Sequence, residues 1–261
     1  MKTVAFYTLG CKVNQVETEQ LKEDFISHGY QVVDFSQPAD VFIINTCTVT
    51  HVSDKKSRAI IRRAARSNPQ ALIAVTGCLA QTNPEQVAEL EGVNLVVGNA
   101  RKQNLVEIID SSIVAPSGIQ VMADDITRQD IPGTVIYSQH HKRTRAFVKI
   151  EDGCENFCSY CIVPHARGPV RSKRPEAVLA EIKQLILLGY REVVLTGINT
   201  GMYGRDLSDW NLTRLLEYLL EKLDGDFRIR LSSIEPPEIN ERLIDLAASD
   251  KHICRHFHIP I

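Results

Sequence analysis

Three cysteines lie close together in the middle of the chain, at Cys154, Cys158 and Cys161. The spacing C-x3-C-x2-C brings three thiolates into one short loop, and soft thiolate ligands select iron–sulfur clusters or zinc. Because no fourth cysteine follows nearby in the sequence, one metal position stays open to an added ligand. The alternative is a structural zinc site completed by a distant His or Cys, although zinc motifs favour paired cysteines.

Three other cysteines share a position relative to the predicted strands. Cys11, Cys47 and Cys78 each come just after a short apolar run. The carboxyl ends of parallel strands meet at one edge of a sheet, where ligands bind, so these thiols are expected to converge. The pattern predicts a second three-thiolate site, and the alternative is three unrelated buried thiols.

Short apolar runs alternate with helical patterns in the first part of the chain. The predicted strands are residues 4–9, 41–45, 72–76 and 95–97. The predicted helices are residues 14–28, 53–66, 84–90 and 105–109. This alternation is typical of an α/β fold with a doubly wound parallel sheet, and we expect such a domain over residues 1–111.

The alternation stops over residues 112–143, which predict a linker or strap, and then resumes. Further strands are predicted at residues 147–150, 192–195, 228–231 and 256–259, with helices at 176–188, 212–223 and 238–248. Repeated units of this kind predict a partial (β/α) barrel domain over residues 144–261, with its site at the carboxyl ends of the strands. Four strands cannot close a barrel, so we expect the barrel to be truncated at residue 261.

The composition is that of an ordinary globular protein, with 261 residues, 44% of them hydrophobic, and a net charge of −2. This charge neither requires nor excludes a nucleic-acid partner. The seven cysteines follow no signal peptide, which favours metal binding over disulfides. An apolar run of about 18 residues, which a membrane helix needs, is absent. We expect a cytoplasmic protein with no membrane partner.

The motif CENFCSYC at residues 154–161 resembles the signature of the radical S-adenosylmethionine (SAM) superfamily. Combined with LGCKVNQ at 9–15, NTC at 45–47 and TGCLAQ at 76–81, it resembles the methylthiotransferase family over essentially the whole chain. The resemblance implies two 4Fe-4S clusters, one on each set of three cysteines, and SAM as methyl donor and radical source.

The resemblance also implies positions for SAM. Tyr160 would lie near the adenine, and Thr196 and Gly197 near the methionine end. The ribose would lie near residues at the end of a later strand, namely Ser232, Ser233 or Glu235. Read from the sequence alone, Ser232 and Ser233 could equally be ordinary residues at a strand end.

The family has several branches, and CKVNQVET at 11–18, DGC at 152–154, IVPHARG at 162–168 and LTGIN at 195–199 resemble one of them. That branch methylthiolates C2 of N6-threonylcarbamoyladenosine next to the anticodon of tRNA, using a cellular electron donor and a sulfur source. The alternatives are isopentenyladenosine in tRNA and an aspartate of a ribosomal protein. A more distant alternative is a non-catalytic iron–sulfur or zinc binding protein.

Two groups of basic residues are candidates for contacts with the tRNA. The first flanks the radical SAM motif and would meet the anticodon loop, offset the cluster charge or hold the SAM carboxylate; it comprises Arg143, Arg145, Arg167, Arg171, Lys173 and Arg174. The second lies on the helix predicted at 53–66, where it could bind phosphates or simply form a solvated face; it comprises Lys55, Lys56, Arg58, Arg62, Arg63 and Arg66.

Overall fold

The computed structural model describes residues 1–48, 50–114, 118–126 and 144–260. The chain divides into two compact units. Unit 1 comprises Met1–Thr127 and Phe157–Gly168, and unit 2 comprises Arg128–Asn156 and Pro169–Ile261. The segment Phe157–Gly168, which carries Cys158 and Cys161, is therefore part of unit 1.

Unit 1 is built on a six-stranded parallel sheet with the order β2-β1-β3-β4-β5-β6. The strands are β1 (Thr3–Thr8), β2 (Gln31–Val33), β3 (Val41–Thr46), β4 (Leu72–Gly77), β5 (Leu95–Val97) and β6 (Gln120–Met122). The four strands predicted from apolar runs are present, whereas β2 and β6 were not predicted. β6 lies in the segment expected to be a linker.

Helices cover both faces of this sheet, as a doubly wound fold requires. They are α1 (Lys12–Ser27), α2 (His51–Ser67), α3 (Cys78–Thr82), α4 (Pro84–Ala88), α5 (Leu105–Val114) and α6 (Val163–Arg167), with a 3-10 helix at Asn99–Asn104. Successive residues of β3 alternate between two apolar cores. Phe42 and Ile44 pack in one core, and Ile43 packs in the other. The α/β fold class is confirmed.

Unit 2 contains a parallel sheet of three strands in the order β11-β10-β7, and an antiparallel pair, β8-β9. The strands are β7 (Ala146–Lys149), β8 (Glu151–Asp152), β9 (Arg171–Ser172), β10 (Glu192–Thr196) and β11 (Arg228–Leu231). The helices are α7 (Pro175–Leu187), α8 (Leu212–Lys222) and α9 (Glu241–Ser249), with 3-10 helices at Thr200–Met202 and Pro236–Glu238. Alternate strand residues, such as Val193 and Leu195, pack in one apolar core.

The strand predicted at residues 256–259 is wrong. Only isolated bridges form here, between Ile229 and Ile253 and between Ser233 and His258. Residues 258–260 are exposed, although Phe257 is half-buried against the apolar core. Among the described residues, no helix combines the length and the apolar character that a bilayer crossing requires.

Candidate functional site

The three cysteines predicted to form a second thiolate site lie at the carboxyl ends of neighbouring strands in unit 1. Cys11 follows β1, Cys47 follows β3 and Cys78 follows β4, and these strands are adjacent in the sheet. All three are free thiols. Cys47 and Cys78 are buried, while Cys11 is exposed. The sheet therefore presents three thiols along one edge, with one of them open to solvent.

Gly10 allows the loop after β1 to pass close to Cys47. Its φ is +98°, and a Cβ built on it would lie 2.8 Å from the Cys47 Sγ. Burial raises the pKa of Cys78, the cations Arg167 and Lys102 oppose that rise, and the Cys11 thiol adds to it.

These three soft thiols suit an iron–sulfur cluster. A cluster binds its thiolates at different irons, so its ligands are spread more widely than those around one ion. Three free, soft thiols on adjacent strand ends therefore fit a cluster.

A buried polar group lies behind this edge, and we call it the Glu17 cluster: Asn14, Glu17, Lys102 and Arg167. Glu17 accepts hydrogen bonds from Arg167 Nη1 at 2.9 Å and from Lys102 Nζ at 2.6 Å. The Arg167 side chain is only 1% exposed. The prediction that Arg167 contacts RNA is therefore wrong, because its guanidinium is enclosed within unit 1.

The loop that carries the other three cysteines is divided between the units. Cys154 belongs to unit 2, whereas Cys158 and Cys161 belong to unit 1. The amide of Cys161 donates to the carbonyl of Cys158 at 2.9 Å, which closes a tight turn. Phe157 has a φ of +45° and Tyr160 is 90% exposed. Exposed aromatic side chains and a strained backbone of this kind are common at binding sites.

Buried polar side chains line the carboxyl edge of the unit 2 sheet. Glu151 and Thr196 are fully buried, and Glu151 Oε2 accepts a hydrogen bond from the amide of Asn199 at 3.0 Å. The Glu151 carboxylate also occupies the space that a side chain at Gly197 would need. The Thr196 hydroxyl is buried and makes no hydrogen bond to any described residue. This edge therefore holds a polar atom that a ligand could satisfy.

The remaining predicted SAM residues follow β11. Ser232 is buried, and its amide donates to the carbonyl of Leu195 at 3.0 Å. Ser233 Oγ lies 3.2 Å from His258 Nδ1. The amide of Glu235 donates to Asn199 Oδ1 at 3.4 Å. Asn199, in the loop after β10, thus bonds both to Glu151 of β8 and to the loop after β11.

The basic residues predicted to meet the anticodon loop differ in their surroundings. Lys173 is buried and pairs with Glu181 at 2.5 Å, so the prediction of an RNA contact is wrong for it as well. Arg145 pairs with Glu192 at 2.9 Å but stays half-exposed. The others are Arg171, which lies 3.4 Å from Asp152, Arg174, which is exposed, and Arg143, which lies outside the described residues.

Five residues of these sites were missed from the sequence. Three of them, Asn14, Glu17 and Asn199, fall inside the family motifs, which was the available signal. No signal in the sequence indicated Glu151 or Lys102, which lies 85 positions from its partner Glu17. Buried charged side chains are uncommon, so only the three-dimensional structure reveals them.

Comparison with protein families gives two matches. Residues 3–98 match the uncharacterized protein family UPF0004, and residues 148–261 match the radical SAM superfamily. The fold is similar to that of the radical SAM methyltransferase TsrM from Kitasatospora setae, with a TM-score of 0.71 at 16% identity over 99% of this chain and 60% of that one. The part of the chain that begins just before the motif at 154–161 is therefore similar to radical SAM domains.

The relatives found by sequence belong to a narrower group of proteins than the family models describe. The chain is 46% identical to threonylcarbamoyladenosine tRNA methylthiotransferase MtaB of Bacillus subtilis (strain 168), over 100% of this chain and 58% of the relative. It is 42% identical to the protein of that name in Aquifex aeolicus (strain VF5), over 99% of this chain and 62% of the relative. It is 34% identical to tRNA-2-methylthio-N(6)-dimethylallyladenosine synthase of Pelotomaculum thermopropionicum, over 100% of this chain and 59% of the relative. The chain is thus similar over its whole length to methylthiotransferases, and it spans about three fifths of the length of these relatives.

Proposed function

We propose that this chain forms the catalytic part of a tRNA methylthiotransferase that acts on C2 of N6-threonylcarbamoyladenosine next to the anticodon. The observation that carries the proposal is the meeting of Cys11, Cys47 and Cys78 on adjacent strand ends, in a chain that also has the radical SAM motif. The MtaB relatives support the substrate, because their names specify it and they are 46% and 42% identical. The synthase named for dimethylallyladenosine is 34% identical, which favours the first substrate.

Each set of cysteines would hold one 4Fe-4S cluster. Cys154, Cys158 and Cys161 would leave one iron open to SAM, and Cys11, Cys47 and Cys78 would hold the second cluster. When bound, these groups supply a radical that can activate an otherwise unreactive C–H bond, together with sulfur and a methyl group. The protein itself would bind and orient these groups and would exclude water from them.

The chain's own polar groups would orient SAM. The Thr196 hydroxyl lacks a hydrogen bond to any described residue, and Gly197 leaves the backbone bare beside it. Tyr160 would face the adenine, and Ser232, Ser233 or Glu235 the ribose. We add Asn199 as a positioning residue, because its side chain joins the loops that carry these groups.

The tRNA anticodon loop would meet basic side chains near the radical SAM motif. Arg143, Arg145, Arg171 and Arg174 remain the candidates for this contact. The reaction also needs a cellular electron donor and a sulfur source, and a cytoplasmic location would give access to all three. We keep residues 1–111, 112–143 and 144–261 as the functional divisions of the chain, because the family matches at 3–98 and 148–261 fall within the outer two.

The test is an anaerobic reaction of the purified protein, reconstituted with iron and sulfide, with SAM, a reductant and tRNA that carries either modified adenosine. Mass spectrometry of the digested tRNA should detect a methylthio group on threonylcarbamoyladenosine. Methylthiolation of isopentenyladenosine, or of a ribosomal protein in a parallel reaction with ribosomes, would refute the substrate assignment.

Iron analysis tests the two-cluster arrangement separately. The protein should hold about eight irons, and substitution of Cys11, Cys47 and Cys78 by Ala should leave about four. Cys254→Ala is the matched control, because Cys254 is a buried free thiol that belongs to neither set. A protein that binds zinc, or only about four irons, would contradict the proposal.

A further inference from the structure

Two buried cations share one carboxylate behind the cysteine edge of unit 1. Arg167 and Lys102 both donate to Glu17, and the side chains of the three residues are 1%, 8% and 7% exposed. Burial lowers the pKa of Lys102, while the nearby Glu17 carboxylate supports its protonated form. Charge is costly to bury, so these paired groups hold their positions firmly behind the edge.

The Glu17 cluster is also joined to the loops that carry the cysteines. Arg167 Nη2 donates to Asn14 Oδ1 at 2.5 Å. Asn14 Nδ2 in turn donates to the carbonyl of Leu9 at 2.7 Å and to that of Thr46 at 2.9 Å. Leu9 lies two residues before Cys11, and Thr46 directly precedes Cys47. The guanidinium therefore orients both loops through one amide side chain.

Lys102 reaches the same edge by a second route. Its ammonium lies 3.3 Å from the Oδ1 of Asn45, two residues before Cys47. Hydrogen bonds thus join the Glu17 cluster to the loops that carry Cys11 and Cys47.

We propose that Arg167 and Lys102 are positioning residues that supply buried positive charge to an anionic iron–sulfur cluster on Cys11, Cys47 and Cys78 and thereby raise its reduction potential. The proposal rests on the two-cluster arrangement proposed above. Net charge and hydrogen bonding near a cluster are among the factors that set its potential. Loss of a cation should make this cluster harder to reduce, and loss of the carboxylate should make it easier.

The experiment measures the potential of this cluster alone, in protein whose Cys154, Cys158 and Cys161 are replaced by Ala. Lys102→Gln should lower the ratio of reduced to oxidised cluster at a fixed potential about tenfold, which is 59 mV for one electron. Glu17→Gln should shift the ratio in the opposite direction. Arg101→Gln is the matched control, because Arg101 is the neighbouring cation but pairs with Asp124 at the surface.

Opposite shifts in the two variants support the inference. If the residues had a purely structural role, the direction of the shift would not depend on whether a positive or a negative charge is removed. Equal shifts, or none, overturn it. If Lys102→Gln takes up no iron, Lys102→Arg decides: restored uptake supports a need for charge, and continued loss overturns the inference. If the starting protein binds no iron at the N-terminal site, the two-cluster proposal itself fails, which is a distinct result.

Discussion

Substituting alanine for Gly10 would place a methyl group where Cys47 lies. Gly10 has a φ of +98°, and the added Cβ would stand 2.7 Å from the Cβ and 2.8 Å from the Sγ of Cys47. The left-handed backbone costs a residue with a Cβ about 1–2 kcal/mol. The overlap adds about 1–3 kcal/mol, as for other overpacked sites. We expect Gly10→Ala to destabilise the cysteine edge by about 2–5 kcal/mol in total.

The variant Gly29→Ala separates the cost of the left-handed backbone from the cost of the overlap with Cys47. Gly29 has a similar φ of +82°, but a Cβ built there meets no atom within 4 Å. It should therefore show the backbone cost alone. Hydrogen exchange at the amides of β1 and β3 is the suitable measurement, since it reports local stability. The single tryptophan, Trp210, lies in unit 2 and would not report on this edge.

Iron content completes the test. Gly29→Ala should still bind about eight irons, whereas Gly10→Ala should fall towards about four, because only the cluster at Cys11, Cys47 and Cys78 is disturbed. The reasoning fails if Gly10→Ala matches Gly29→Ala in both iron content and exchange. Loss of all iron from Gly10→Ala would also contradict it, since the set Cys154, Cys158 and Cys161 should be unaffected.

Three further predictions concern the surface and the buried pairs. Replacing the exposed Lys55 and Lys56 of α2 with Gln should weaken tRNA binding and reduce the salt dependence of log K by about 2, measured by titration at several salt concentrations. The pKa of Glu192 is held low chiefly by a hydrogen bond from Arg230, so this carboxylate stabilises the fold above pH 4.5 and loses its effect as the pH falls below its folded pKa. Glu192→Gln should therefore lower the free energy of unfolding by about 1–3 kcal/mol at neutral pH, and urea titrations should find the difference vanishing in acid. Lys173→Met should cost about 3–5 kcal/mol by removing the cation that pairs with the buried Glu181 carboxylate, and replacing Glu181 as well should restore most of the loss in the same assay.

The sequence predicted the strands that carry the cysteines because strands buried on both faces read as continuous apolar runs. β3 is buried at every position, and its run is unmistakable. β6 has three residues, none of them buried, at the edge of the sheet. A strand of that kind has no hydrophobic pattern, so its segment was interpreted as a linker.

Arg167 and Lys173 could not be interpreted correctly from sequence for a different reason. Arginine and lysine are mostly exposed, and basic residues near a cluster motif suggest contact with RNA. Whether they are buried depends on the partner. Glu181 is eight positions from Lys173, but Glu17 is 150 positions from Arg167. Only the fold brings that second pair together.

The same ion pair explains why Phe157–Gly168 belongs to unit 1. α6 is a single short helix, yet Arg167 at its end bonds to Glu17 and Asn14 of α1, and the carbonyl of Ala166 accepts from Asn99 at 2.7 Å. These bonds anchor the segment that contains two cysteines of the radical SAM motif to the helix that begins at the cysteine edge. Substitution of Glu17 should therefore alter iron binding at both cysteine sets. Substitution of Cys254, which lies outside both sets, should alter iron binding at neither.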